Sequence, residues 1–112
     1  MMNKSKWIEE QTAMKKEDIK RILSANRDLL KQCKVKSIAL FGSYVRNEQK
    51  ENSDIDLLVD LDEGATLFDI VMLEENLSEI MARKVNVVSR RGLSRHIGPY
   101  ILREAENIGE GL

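Results

Sequence analysis

The chain has 112 residues and a net charge of −1, with 42% hydrophobic and 33% charged residues. This length fits one small domain, and the nearly neutral charge does not indicate a nucleic-acid or membrane partner. A single cysteine, Cys33, excludes an internal disulfide, and no apolar run approaches the roughly 20 residues that span a bilayer. The polar N-terminus lacks the apolar segment of a secretion signal, so we expect a cytoplasmic protein.

Hydrophobic periodicity predicts elements in the order helix, strand, strand, helix, strand, helix. Residues 1–16 carry lysines around one tryptophan. We interpret them as an N-terminal arm or short helix, which leaves 17–112 as the folded domain. Apolar residues at helical spacing predict the first helix between Lys16 and Cys33. Buried strands are expected at 35–41 and 54–61, on either side of a polar loop.

The second half of the chain alternates between helices and one more strand. Residues 66–82 have the apolar stripe of an amphipathic helix, and residues 84–89 favour a third strand. A polar turn follows at 90–94, and Pro99 suits the first position of a last helix that continues to about Ile108. The predicted fold class is therefore α/β (α+β), with a small mixed sheet of three or more strands packed by helices.

A glycine and a serine end the first predicted strand. Gly42 permits close backbone approach to a ligand and dihedral angles that other residues avoid. A turn that leaves a strand for a helix directs free N–H groups at an anion, and the hydroxyl of Ser43 adds a donor at the same point. Gly42 and Ser43 are therefore candidates for holding nucleotide phosphates, although Gly-Ser pairs also occur in ordinary turns.

Two aspartates begin the second predicted strand, with ten residues between Ser43 and the first of them. Because strand side chains alternate, Asp54 and Asp56 are expected to project from one face while Ile55 points to the other. Such carboxylates suit Mg²⁺, which completes its coordination with substrate phosphates. An isolated Asp-x-Asp is more simply a turn cap and an exposed edge residue, but its combination with Gly42 and Ser43 favours a nucleoside triphosphate site.

The sequence Gly-Ser, ten residues, Asp-x-Asp resembles the signature of the minimal nucleotidyltransferases of the DNA polymerase beta superfamily. The resemblance extends from about Lys20 to Asn107. An arginine often follows the Gly-Ser turn in such proteins, as Arg46 does here. The resemblance implies a nucleotide site made of Gly42, Ser43 and Arg46, and a Mg²⁺ site made of Asp54 and Asp56.

The same resemblance implies a function and a partner. ATP would be the substrate and Mg²⁺ the cofactor, and the protein would be an antitoxin that transfers AMP to a HEPN-domain toxin. No membrane partner is expected. Nucleic-acid binding is not expected either, because no aromatic residues interleave with the late basic cluster. That cluster comprises Arg83, Lys84, Arg90, Arg91 and Arg95.

One position departs from the family pattern. Where the family has a third aspartate on the next strand, this chain has Asn86. An amide carries no charge and cannot take a proton from an attacking hydroxyl. The candidate catalytic residues are therefore Asp54, Asp56 and Asn86. Asp60 or Asp69 would replace the missing carboxylate only if the fold brought it near.

Asn86 is consistent with a slow enzyme, with a protein that binds nucleotide without transferring it, or with an introduced change in an active parent. Three functions therefore stay open. The first is an active transferase that moves AMP from ATP to a protein acceptor. The second is a nucleotide-binding protein with impaired catalysis, which neutralises a toxin by binding alone, and the third is a nucleotide-sensing regulator. The intact Gly-Ser and Asp-x-Asp favour the enzyme, whereas Asn86 favours the binding protein.

Overall fold

The computed structural model of the protein describes residues 14–92 and 98–108. None of the helices in this part of the chain has the length and apolar character that crossing a bilayer requires. Two short 3₁₀ turns lie at Gly42–Tyr44 and Arg90–Gly92. The helices and strands are α1 (Lys16–Ala25), α2 (Arg27–Gln32), β1 (Val35–Phe41), β2 (Ile55–Leu61), α3 (Leu67–Met81), β3 (Val85–Ser89), α4 (Gly98–Glu104) and β4 (Glu106–Asn107).

The strands form one mixed sheet in the order β3-β2-β1-β4. β1 runs antiparallel to both β2 and β4, while β2 and β3 are parallel and are connected through α3. A parallel pair needs a long crossover connection of this kind. The predicted fold class, a small mixed sheet packed by helices, is therefore confirmed.

One face of the sheet carries the hydrophobic core. Along β2, Ile55, Leu57 and Val59 are fully buried, and the residues between them belong to the other face because strand side chains alternate. The same core takes apolar side chains from the first three helices, namely Ile19, Leu23, Leu30, Leu73, Leu77 and Met81. The helices thus cover one face of the sheet, and the polar residues of β2 project from the opposite face.

Two sequence predictions about the helices were partly wrong. The first predicted helix is interrupted at Asn26, whose side-chain amide donates a hydrogen bond of 2.7 Å to the Ile22 carbonyl and competes with the helical backbone. The last helix ends at Glu104 instead of near Ile108, because Glu106–Asn107 pairs with β1 as a fourth strand.

Some sequence predictions fall on parts of the chain outside the described residues. Of the predicted arm at 1–16, residues 1–13 lie outside them, and Lys16 is the first residue of α1. Arg95 of the basic cluster and positions 93–94 of the predicted polar turn lie outside them as well.

The start of α3 is held by Asp69. Its carboxylate accepts the Thr66 N–H at 2.8 Å and forms an ion pair with Lys34 at 3.3 Å. The Thr66 N–H, assisted by the Lys34 ammonium group, holds the pKa of Asp69 below its usual range. This arrangement satisfies a backbone donor that a helix N-terminus would otherwise leave unpaired.

We expect Asp69→Asn to lower the midpoint of thermal unfolding by a few degrees at neutral pH, since it weakens this cap and removes the ion pair. A carboxyl with a lowered folded-state pKa stabilises the fold above its unfolded pKa of about 3.9, and the stabilisation is lost as the pH falls through the folded value. The difference between wild type and variant should therefore be full above about pH 5 and shrink below pH 4. Calorimetry across this range checks it; a difference that does not change with pH would contradict the assignment.

Candidate active site

The C-terminal end of β1 and the N-terminal ends of β2 and β3 lie at the same end of the sheet. The register of β1 and β2 pairs Phe41 with Asp56, and the register of β2 and β3 pairs Asp56 with Asn86. The 3₁₀ turn that begins at Gly42 follows Phe41 directly. The topology therefore brings the Gly-Ser turn, the Asp-x-Asp and Asn86 together, although 30 residues separate the last two in sequence.

Gly42 is required by both its backbone angle and its surroundings. Its φ of +81° lies in the left-handed region, which favours glycine. A Cβ at this position would overlap the carboxylate of Asp56, whose Cγ would lie only 3.2 Å away. The absence of a side chain at Gly42 therefore makes room for the carboxylate of Asp56.

The two aspartates project to the same side, as strand alternation predicts. The amide nitrogen of Asn86 donates to Oδ2 of Asp54 at 3.2 Å and to Oδ1 of Asp56 at 3.0 Å. One neutral side chain thus bridges two carboxylates. Ile55, the residue between them, is fully buried on the core face.

The pKa of Asp56 is raised. Burial is the main cause, because it disfavours the charged carboxylate, and the negative charge of Asp54 acts in the same direction. The hydrogen bond from Asn86 opposes the increase. Charge repulsion between the aspartates is therefore only partly relieved by the amide, and a cation between them would relieve it further.

Arg46 lies beside the Gly-Ser turn but is held by two glutamates. The carbonyl of Gly42 accepts the Arg46 N–H at 3.3 Å, which folds the chain back toward the site. The Arg46 guanidinium donates to Oε1 of Glu48 at 2.7 Å and to Oε1 of Glu104 at 2.6 Å. The hydrogen bond to Glu48 and the charge of Glu104 raise the pKa of Arg46.

Glu104 is a residue of this site that sequence reasoning missed. Its Oε1 also accepts the N–H of Gly42 at 2.8 Å. The reason is the register of β4, which pairs Ala39 with Asn107 and Leu40 with Glu106. Glu104, the last residue of α4, precedes the pair Leu40–Glu106 by two residues, and Gly42 follows it by two. No local pattern in a helix of seven residues would have indicated it.

Three further residues were candidates from the sequence; Ser43 belongs to the turn of this cluster, whereas Asp60 and Asp69 lie apart from it. Ser43 follows Gly42 in the 3₁₀ turn, and its carbonyl accepts the Glu48 N–H at 2.9 Å. Asp60 lies four residues beyond Asp56 along β2, or about 13 Å at the usual rise of a strand. The carboxylate of Asp69 caps the start of α3 and pairs with Lys34. Neither carboxylate substitutes for the one that is missing at Asn86.

A surface hollow of about 390 Å³ adjoins the carboxylate cluster. It is lined by Asp54 together with Arg83, Lys84 and neighbouring residues of the polar loop and of the end of α3. Two members of the predicted basic cluster thus lie beside a site carboxylate. The hollow gives a polar ligand access to the edge of the sheet.

The donor set fits a magnesium ion that shares its coordination with a substrate. Within the described residues, no group of three or more histidine, cysteine, aspartate or glutamate side chains is arranged to hold a metal ion. Asp54 and Asp56 still offer two hard carboxylate ligands on one face. Mg²⁺ is commonly bound by one or two carboxylates plus phosphate oxygens, so these residues fit an ion delivered with a nucleotide.

The model of a protein family described as a nucleotidyltransferase domain matches residues 19–110. The chain belongs to the nucleotidyltransferase domain family. The resemblance drawn from the Gly-Ser and Asp-x-Asp residues is thereby confirmed. The chain is also 40% identical over 89 residues to the protein adenylyltransferase MntA of Thermococcus cleftensis. The matched region covers 79% of this chain and 90% of that protein.

Solved structures of toxin–antitoxin complexes share this nucleotidyltransferase fold. A toxin–antitoxin crystal structure with AMP-PNP matches with a TM-score of 0.65 and 26% identity, over 74% of this chain and 68% of that one. A complex of a tri-AMPylated HEPN toxin with an MNT antitoxin from Shewanella oneidensis has a TM-score of 0.60 at 21% identity, over 80% and 70%. At the latter identity the likeness concerns the fold alone.

Proposed function

We propose that this nucleotidyltransferase-family protein transfers AMP from ATP to a protein acceptor, with a HEPN-domain toxin as the partner. The observation that carries the proposal is that Asp54, Asp56 and the Gly42 turn lie together at one end of the sheet. The 40% identity to a protein adenylyltransferase supports it. The structural likeness to toxin–antitoxin complexes supports the choice of partner.

The residues divide the work as follows. The Gly42 turn and Arg46 bind the phosphates. Asp54 and Asp56 would hold Mg²⁺, which would neutralise phosphate charge and orient the reacting groups. An acceptor hydroxyl oxygen forms a bond to the α-phosphorus, the bond to the β-phosphate bridge breaks, and pyrophosphate leaves. Asn86 positions the two carboxylates through its amide, but it cannot take the hydroxyl proton, which passes to solvent instead.

Asn86 also supports a second candidate function, neutralisation of a toxin by binding alone. Its amide already satisfies one oxygen of each aspartate, so the pair is stabilised without a metal ion. A protein that only binds its partner needs no more than this. The two functions differ in whether neutralisation depends on the carboxylates.

Mass spectrometry of the intact partner, after incubation with the protein, ATP and Mg²⁺, tests the proposed transfer. We expect the partner to gain the mass of one or more AMP groups. Asp54→Ala should transfer AMP at least about 100-fold more slowly, because a ligand of the Mg²⁺ site is removed. Asp60→Ala is the matched control, since it removes a carboxylate from β2, on the face from which Asp56 projects but outside the cluster. The Asp60 variant should transfer like wild type.

Growth rescue in cells that express the toxin separates the two candidates. If Asp54→Ala neutralises the toxin as well as wild type does, and no AMP is found on the toxin, then neutralisation is by binding and the transferase proposal is wrong. If Asp54→Ala loses rescue while Asp60→Ala keeps it, neutralisation requires the site.

A further inference from the structure

The carboxylate of Glu104 accepts hydrogen bonds from two groups that would otherwise bind the phosphates of a nucleotide. Its Oε1 accepts the Gly42 N–H at 2.8 Å and the Arg46 guanidinium at 2.6 Å. A backbone N–H at a glycine turn and an arginine are the typical partners of a phosphate oxygen. The carboxylate of Glu104 therefore satisfies the same groups with its own negative charge.

The position of Glu104 in the sheet separates it from the missing third carboxylate. The strand order β3-β2-β1-β4 places Asn86 on one side of Asp54 and Asp56, and places Glu104 on the other, beside β1. The charge of Glu104 also contributes to the raised pKa of Asp56. Glu104 adds a carboxylate beside the Gly42 turn, where the phosphates would bind, and its charge opposes the approach of an anionic ligand. It does not replace the carboxylate that is missing at Asn86.

On the Glu104 side, both contacts are made by its side chain and not by its backbone. The backbone of this segment is fixed independently, through the pairing of β4 with β1. The carboxylate is 27% exposed and the Arg46 side chain is 50% exposed, so water reaches the pair. Rotation of the Glu104 side chain is therefore sufficient to free the Gly42 N–H and the Nη1 group of Arg46 together, while Nε of Arg46 stays paired with Glu48.

We propose that Glu104 is a further residue of the nucleotide site, which competes with the triphosphate for Gly42 and Arg46 and so sets the affinity for ATP. This inference rests on the proposed function, because it requires that the site binds a nucleotide. Only the fraction of molecules in which Glu104 has left the donors binds ATP. The apparent dissociation constant is then the intrinsic one divided by that fraction.

The test is a calorimetric titration of the full chain with ATP and Mg²⁺, and separately with inorganic tripolyphosphate and Mg²⁺. Glu104→Gln, which removes the charge but keeps the shape, should bind both about tenfold more tightly than wild type if Glu104 holds the donors in roughly nine molecules out of ten. Glu104→Asp should fall between them, because its shorter side chain reaches both donors less well. In the transfer assay, Glu104→Gln should lower KM for ATP and leave kcat unchanged.

Glu106→Gln is the matched control. Glu106 lies in the same segment, and its carboxylate forms an ion pair with Lys16 at 3.0 Å instead of binding Gly42 and Arg46. The substitution makes the same change in net charge, so its affinity for ATP should equal that of wild type. Thermal unfolding of each variant verifies that it is folded at the titration temperature.

The outcomes distinguish this inference from the proposed function. If wild type binds ATP, and Glu104→Gln binds it equally or more weakly, Glu104 does not compete and the inference is overturned while the nucleotide site stands. If kcat falls with no change in affinity, Glu104 assists the chemical step instead. If neither wild type nor any Glu104 variant binds ATP, the proposed nucleotide function fails and the inference fails with it.

Discussion

Replacing Asn86 with aspartate should increase the rate of AMP transfer to the protein acceptor by about 100-fold, at the lower end of what a positioned general base contributes. The new carboxylate would lie next to Asp56 in the register of β2 and β3. Unlike the amide, it can accept the proton of the attacking hydroxyl. It would also add a third hard oxygen ligand for Mg²⁺, next to Asp54 and Asp56.

The same substitution should make stability depend on Mg²⁺. In wild type the Asn86 amide donates to both aspartates, and in the variant three carboxylates would face one another. We therefore expect the variant without metal to unfold several degrees below wild type, because two hydrogen bonds to charged groups are lost and like charges repel. Added Mg²⁺ should reverse most of this loss, because it binds only the folded site.

Transfer rates and thermal unfolding with and without Mg²⁺ check both effects. Asn76→Asp is the matched control, because the Asn76 amide donates to the Met72 carbonyl on α3 and not to the aspartates. The control should show neither the gain in rate nor the response to metal. An Asn86→Asp variant that transfers no faster than wild type, and that Mg²⁺ does not stabilise, would contradict the placement of Asn86 in the catalytic site.

Gly42→Ala should reduce transfer by at least about 100-fold, since a displacement of about 1 Å at a reacting site has an effect of this size. A non-glycine residue in the left-handed region costs about 1 kcal/mol by itself. In addition, the new Cβ overlaps the carboxylate of Asp56. Either the turn or the aspartate must move, and the relation between phosphates and metal ligands changes with it.

The matched control for this substitution is Gly64→Ala. A Cβ at Gly64 would meet only the end of the Lys34 side chain, at 3.9 Å, which is an ordinary contact. We expect the Gly64 variant to transfer at the wild-type rate, and the Gly42 variant to be both slower and less stable in thermal unfolding. If Gly42→Ala retained transfer within about threefold of wild type, the turn would not be part of the site.

Local sequence patterns predicted most of the secondary structure. The apolar runs of β1, β2 and β3 and the stripe of α3 are properties of consecutive residues, and they are observed close to where they were expected. The predictions failed where a distant contact decided the outcome. Glu106 and Asn107 form a strand only because β1 offers a free edge, and two residues have no periodicity that could be recognised.

The spacing of Gly-Ser and Asp-x-Asp was enough to indicate the family. Strand alternation was enough to predict that Asp54 and Asp56 project to the same side. The contact of the Asn86 amide with both aspartates is visible only in the folded chain, because the parallel pairing of β2 with β3 sets it. The same is true of the contacts of Glu104 with Gly42 and Arg46. These contacts join residues that are far apart in sequence, and only the register between strands fixes them.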